Sequence, residues 1–124
     1  MVVVHVASVD FVHRALASDE SDGFEIVFAG KVELTDNKLL VFEYQDYKED
    51  RKNAKPAFQT YLFSIRNIKC RPSKSGHGNF SGGMVRIFGA FDRGPLDCIT
   101  LKMGEYYHAP LVAALKAALN RRCE

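Results

Sequence analysis

Tryptophan is absent from this 124-residue sequence, and neither cysteine nor charge of one sign is plentiful. The three cysteines, Cys70, Cys98 and Cys123, have none of the short spacings that hold a metal, so the sequence predicts no metal centre. An odd count without a secretory leader predicts reduced thiols inside the cell. The formal net charge is only +2, which argues against a dedicated nucleic-acid binder, because such domains normally carry a strongly basic stripe.

Long hydrophobic runs are also missing. The most apolar segment, residues 1–7, is too short to cross a bilayer, lacks the basic start of a signal peptide and is soon followed by Asp10. The sequence therefore predicts a cytoplasmic, intracellular protein and leaves a nuclear location open. Apolar residues make up 47% of the chain and charged residues 26%, which is ordinary for one globular domain that needs no disulfide or metal for stability.

Short strands dominate the centre of the chain. Alternating apolar residues predict strands over residues 24–34, 39–44, 58–65, 68–70, 84–91 and 96–103. The third of these is built on Phe58, Tyr61, Phe63 and Ile65. Before them, β-branched residues predict a strand at 2–7, and a short helix follows from Ser8 to the apolar positions up to residue 16.

The C-terminal residues 109–122 read as one helix. Pro110 suits the first turn of a helix, where its missing N–H is not needed. Helical spacing then produces one apolar stripe, formed by Leu111, Val112, Leu115, Ala118 and Leu119. A single helix that follows a run of strands must bury its stripe on the sheet. The sequence thus predicts a mainly β (α+β) domain in which this helix caps a small barrel.

This order of elements resembles the pleckstrin-homology (PH)-like superfold, and within it the GRAM domains and the PH domain of general transcription factor IIH. The resemblance is carried by residues 28–42, 63–70, 98–101 and 111–119, which look like the opening hairpin, the middle strands, the last strand and the lid helix. It implies one domain over residues 1–124: a PH-like barrel of six to seven antiparallel strands within 24–103, capped by the helix at 109–122.

Residues 1–23 would be an extra N-terminal strand and short helix on such a barrel. An α+β sheet of the profilin or polo-box type accommodates this addition equally well. Typical PH domains carry a Trp in the final helix, which this chain lacks.

Catalytic patterns are not recognisable in the sequence. The four histidines lie near no nucleophile at a familiar spacing: His5, His13, His77 and His108. The Gly- and Ser-rich residues 71–83 lack the Gly-Lys-Ser/Thr ending of a nucleotide-binding loop. The sequence therefore predicts a protein that is not an enzyme and uses no cofactor.

A protein-binding surface is the leading functional prediction. Met84, Arg86 and Phe88 alternate with the expected core residues of their strand, and Tyr106 and Tyr107 join the last strand to the helix. The alternative is that these residues pack under the N-terminal strand and helix. We expect a non-enzymatic interaction module, an adaptor or assembly subunit, with a protein as its partner. The same surface also suits the pairing of two copies as a homodimer.

Anionic-lipid binding is the second functional prediction. The PH resemblance implies phosphoinositide-dependent recruitment to membranes, which needs several cations around one end of the barrel. Six cations of the first hairpin and the following loop form the candidate lipid site: Lys31, Lys38, Lys48, Arg51, Lys52 and Lys55. Acidic neighbours dilute this set, which favours a protein partner over a lipid.

Overall fold

The computed structural model describes residues 2–16, 24–49, 53–74, 81–92 and 96–120. In chain order the elements are β1 (Val3–Leu16), β2 (Phe24–Thr35), β3 (Lys38–Glu43), α1 (Tyr44–Glu49), β4 (Phe58–Tyr61), a 3-10 turn (Leu62–Ser64), β5 (Ile65–Lys74), β6 (Ser81–Gly89), β7 (Leu96–Gly104) and α2 (Glu105–Leu119). The prediction of a mainly β domain that ends in a helix is confirmed.

The strands form an antiparallel sheet in the order β4-β3-β2-β1-β7-β6-β5. A four-stranded part, β1 to β4, and a three-stranded part, β5 to β7, meet where β1 pairs with β7. The sheet is not closed as a barrel, because β4 and β5 lie at its two edges and do not pair with each other in the described residues. The predicted closed barrel is therefore corrected to an open antiparallel sheet.

The N-terminal short helix predicted from Ser8 to Leu16 is wrong, because β1 continues as a strand to Leu16. The backbone of this segment pairs with β2 on one side and, from Phe11 onwards, with β7 on the other. Pairing on both sides satisfies the backbone polar groups, and this tertiary gain outweighs a local pattern that also fits a helix. The strand therefore lies at the centre of the sheet, next to both β2 and β7.

Helix α2 begins at Glu105 rather than at Ala109, so Pro110 lies inside the helix and not in its first turn. It ends at Leu119, followed by Asn120 in the left-handed conformation with φ of 51°. Leu111 and Leu115 are fully buried among core residues of the sheet, as the apolar stripe predicted. The remaining stripe positions are less buried: Val112 and Leu119 are half-buried, and Ala118 is exposed.

The third predicted strand is interrupted. β4 ends at Tyr61, and the 3-10 turn rotates the chain before β5 begins at Ile65. Leu62 packs against the core as a result, while the side chain of Phe63 is 84% exposed. The strand alternation that placed Phe63 with Ile65 fails because three residues of tight helical turn change which side of the chain faces inward.

The prediction of three reduced thiols is wrong for Cys70, which is disulfide-bonded. Cys70 is half-buried on the edge strand β5. Cys98 is a free thiol and is buried, as expected for a cysteine within a strand.

The first turn of α2 rests on the backbone of β6. A Cβ atom added to Gly83 would overlap the imidazole ring of His108, whose Nε2 lies 3.4 Å from the carbonyl oxygen of Met84. We expect Gly83→Ala to lower the free energy of unfolding by about 1–3 kcal/mol, because the ring must be displaced from a packed position. Urea denaturation followed by circular dichroism measures this change.

Gly104→Ala is the matched control for that variant. Gly104 has a φ of −65°, which alanine adopts freely, and nothing lies within 4 Å of an added Cβ. Because Gly104 is the N-cap of α2, where alanine is less favourable than glycine, this substitution should lower stability by less than about 1 kcal/mol. Equal losses of stability in the two variants would contradict the close fit of His108 on Gly83.

Candidate functional site

Three strands bring a set of polar and apolar side chains onto one surface, which we call the outer face: Lys69, Arg71, Met84, Arg86, Phe88 and Lys102. Val85 and Ile87 of β6 are buried, so the residues that alternate with them lie on the side away from the core. Strand pairing then sets Arg71, Met84 and Lys102 in one row. It sets Lys69, Arg86 and Thr100 in the next row, and Asn67, Phe88 and Cys98 in the third.

Two contacts between neighbouring strands hold Arg86 and Lys69 of the outer face in place. The Nε–H of Arg86 donates a hydrogen bond of 3.1 Å to the hydroxyl of Thr100, which is buried beneath it. The ammonium group of Lys69 lies over the ring of Phe88, 5.4 Å from its centroid, where the negative face of the ring attracts it. Lys69, Arg86 and Lys102 are half-buried, which shows that these long side chains lie along the sheet.

The outer face is strongly cationic although the chain carries little net charge. Neighbouring strands lie about 4.8 Å apart and alternate residues about 6.7 Å apart, so the four cations fall within roughly 10 by 7 Å. The one acidic residue within β5, β6 and β7 is Asp97, whose side chain lies outside the part that the structure describes. A surface with this charge favours an anionic partner and disfavours a cationic one.

The sequence-predicted protein-binding residues lie on two elements. Met84, Arg86 and Phe88 lie on the outward side of β6, whereas Tyr106 and Tyr107 belong to the first turn of α2. The two tyrosine rings meet edge to face with centroids 5.0 Å apart, and Tyr106 is 82% exposed. Because Gly104 pairs with Gly82, this turn begins at the Met84 end of β6 and not at the Phe88 end.

The described cations of the predicted lipid site are divided between the two ends of β3. Lys38 lies at the β2–β3 turn, with its ammonium group 4.9 Å from the centroid of the Tyr61 ring. Lys48 and Lys55 are exposed in the connection from β3 to β4. This connection begins at the other end of β3, about 17 Å from Lys38 along the strand. Lys31 pairs with Phe42 at that second end and donates a hydrogen bond of 2.5 Å to Ser8. Arg51 and Lys52 lie outside the described residues.

Sequence reasoning missed an aromatic corner at the open edge of the sheet, formed by Tyr61 and Phe63. Their rings stack with centroids 5.0 Å apart and planes 15° from parallel. The signal available in the sequence is the break in strict alternation between Phe58 and Tyr61, which marks the strand as irregular. Two exposed aromatic rings side by side form a surface that water solvates poorly.

Cavities flank the aromatic corner on both sides. The larger, of about 320 Å³, is lined by Lys38, Gln59, Thr60, Tyr61, Ser64, Ala90, Phe91 and Asp92. The smaller, of about 200 Å³, is lined by Leu62, Phe63, Ile65, Ala118 and Leu119.

Hydrogen bonds between β4 and the chain after β6 fix the wall of the larger cavity. The two carboxylate oxygens of Asp92 accept hydrogen bonds from the backbone N–H of Gln59, at 3.0 Å, and from its side-chain amide, at 3.1 Å. The hydroxyl of Thr60 donates to the carbonyl oxygen of Ala90. These bonds link β4 to the chain after β6, so the gap at the open edge is spanned without strand pairing.

Two features are missing from the described part of the chain, a cluster of metal ligands and a helix that could span a membrane. No group of three or more His, Cys, Asp or Glu side chains there could hold a metal ion. None of the helices found there combines the length and apolar character needed to cross a bilayer.

Comparison with known proteins relates the fold to solved structures. No protein-family model matches the chain, and no curated protein matches it. The crystal structure of the DH/PH domains of p115-RhoGEF (R399E mutant) superposes with a TM-score of 0.50 over 95% of this chain, with 14% sequence identity. The chain has a PH-like fold. It spans 30% of that other chain, and at this identity the likeness concerns the fold alone.

Proposed function

We propose that this PH-like domain is a non-enzymatic protein-interaction module, and that its outer face binds an acidic segment of a protein partner. The observation that carries the proposal is the grouping of Lys69, Arg71, Arg86 and Lys102 around Met84 and Phe88. The two apolar side chains would contact the backbone and apolar atoms of the segment, and the cations would pair with its carboxylates. The role that follows is that of an adaptor or of a subunit in a larger assembly.

Arg86 is the residue best placed to recognise a carboxylate. Its Nε–H is already directed at Thr100, which orients the guanidinium plane and leaves the two terminal nitrogens as donors. A guanidinium group held in this way binds a carboxylate through paired hydrogen bonds. Lys69 and Lys102 would add less directional attraction, which speeds encounter and weakens as salt is added.

Binding to anionic lipid is the alternative function. It would use the six cations named from the sequence, of which the described members are divided between the ends of β3. A phosphate-binding pocket needs several cations that converge on one point. The described cations of the predicted lipid site do not converge in this way. The denser group of cations lies on the outer face, and this favours the acidic protein segment proposed to bind there.

The proposal is tested by measuring binding of a labelled glutamate-rich peptide by fluorescence anisotropy, at low and moderate salt. We expect saturable binding that weakens steeply as salt is raised, because the contacts are mainly ionic. The same peptide with glutamine in place of glutamate is the control and should not bind. In parallel, the protein is sedimented with vesicles that contain phosphatidylserine or phosphoinositide.

Three patterns of results decide between the two functions. Peptide binding without sedimentation supports the proposed function. Sedimentation at low salt without peptide binding would replace it with membrane recruitment. If the protein binds neither peptide nor vesicles, the outer face is a solvated surface and the proposal is wrong.

A further inference from the structure

We draw no further inference here: the strongest candidate, the apolar surface patch that the exposed side chains of Val3, Val4 and Val6 form on β1 ahead of its pairing with β7, carries none, because nothing in the part of the chain that the structure describes shows what covers it.

Discussion

Replacing Leu111 by alanine is expected to lower the free energy of unfolding by about 2–5 kcal/mol, the range found for buried leucines. Leu111 is fully buried, and with Leu115 it forms the part of α2 that packs among the core residues of the sheet. Gly104 provides no side-chain cap for the helix, so packing on the sheet holds α2 in place, through His108 in its first turn and through these leucines further along. Loss of the side chain would leave a cavity between the helix and the sheet.

The measurement is urea denaturation of the wild type and of three alanine variants. Leu119→Ala removes the same atoms from a half-buried position and should have a clearly smaller effect. Lys116→Ala changes an exposed position and should stay within about 0.5 kcal/mol of the wild type. Equal effects of Leu111→Ala and Leu119→Ala would show that α2 is not anchored as the burial pattern indicates. Since small domains are stable by only about 5–15 kcal/mol, Leu111→Ala should remove a large share of the total stability.

Reversing two charges on the outer face, with Lys69→Glu and Arg86→Glu together, is expected to weaken binding of the glutamate-rich peptide by roughly 10- to 100-fold. Two attractive contacts become repulsive, and the paired hydrogen bonds from Arg86 are lost with its guanidinium group. Neither residue is part of the core cluster, so the fold should survive. Anisotropy titrations at two salt concentrations measure the affinity, and the variant should also show a shallower dependence on salt.

The matched control makes the same change of charge elsewhere, with Lys48→Glu and Lys55→Glu. Both residues are exposed and lie in the connection from β3 to β4, away from the outer face. This variant should retain most of the affinity. Equal losses in the two variants would mean that the peptide responds to total charge and not to the outer face.

The sequence was sufficient where local chemistry decides the structure. The two-residue hairpin between β2 and β3 has the polar turn residues it needs, and the buried hydroxyl of Thr35 accepts a hydrogen bond of 2.9 Å from the backbone N–H of Lys38. Alternation in β6 correctly separated buried Val85 and Ile87 from Met84, Arg86 and Phe88. The apolar stripe of α2 identified Leu111 and Leu115 as core residues.

Features that depend on distant partners were not accessible from the sequence. The helical spacing after Ser8 suggested a helix, and only pairing with β7 shows why this segment is a strand. The sequence predicted only part of the outer face, including Arg86. It missed Lys69 and Lys102, because each is an isolated cation in its own strand. Strand register alone brings them together. Phe63 was grouped with Ile65 in one continuous strand, and the irregular turn at Leu62–Ser64 breaks that alternation.

The central position of β1 has a consequence for how the chain reaches its fold. Phe11 of β1 pairs with Lys102 of β7, so strand neighbours in the sheet are separated by most of the sequence. Contacts between such distant positions form slowly, since a long loop must close before they contribute to stability. During synthesis, the second half of β1 has to wait for almost the whole chain to emerge before its partner exists. Until then the second half of β1 has an unpaired strand edge. Such an edge can pair with another chain, so the incomplete chain is prone to aggregate.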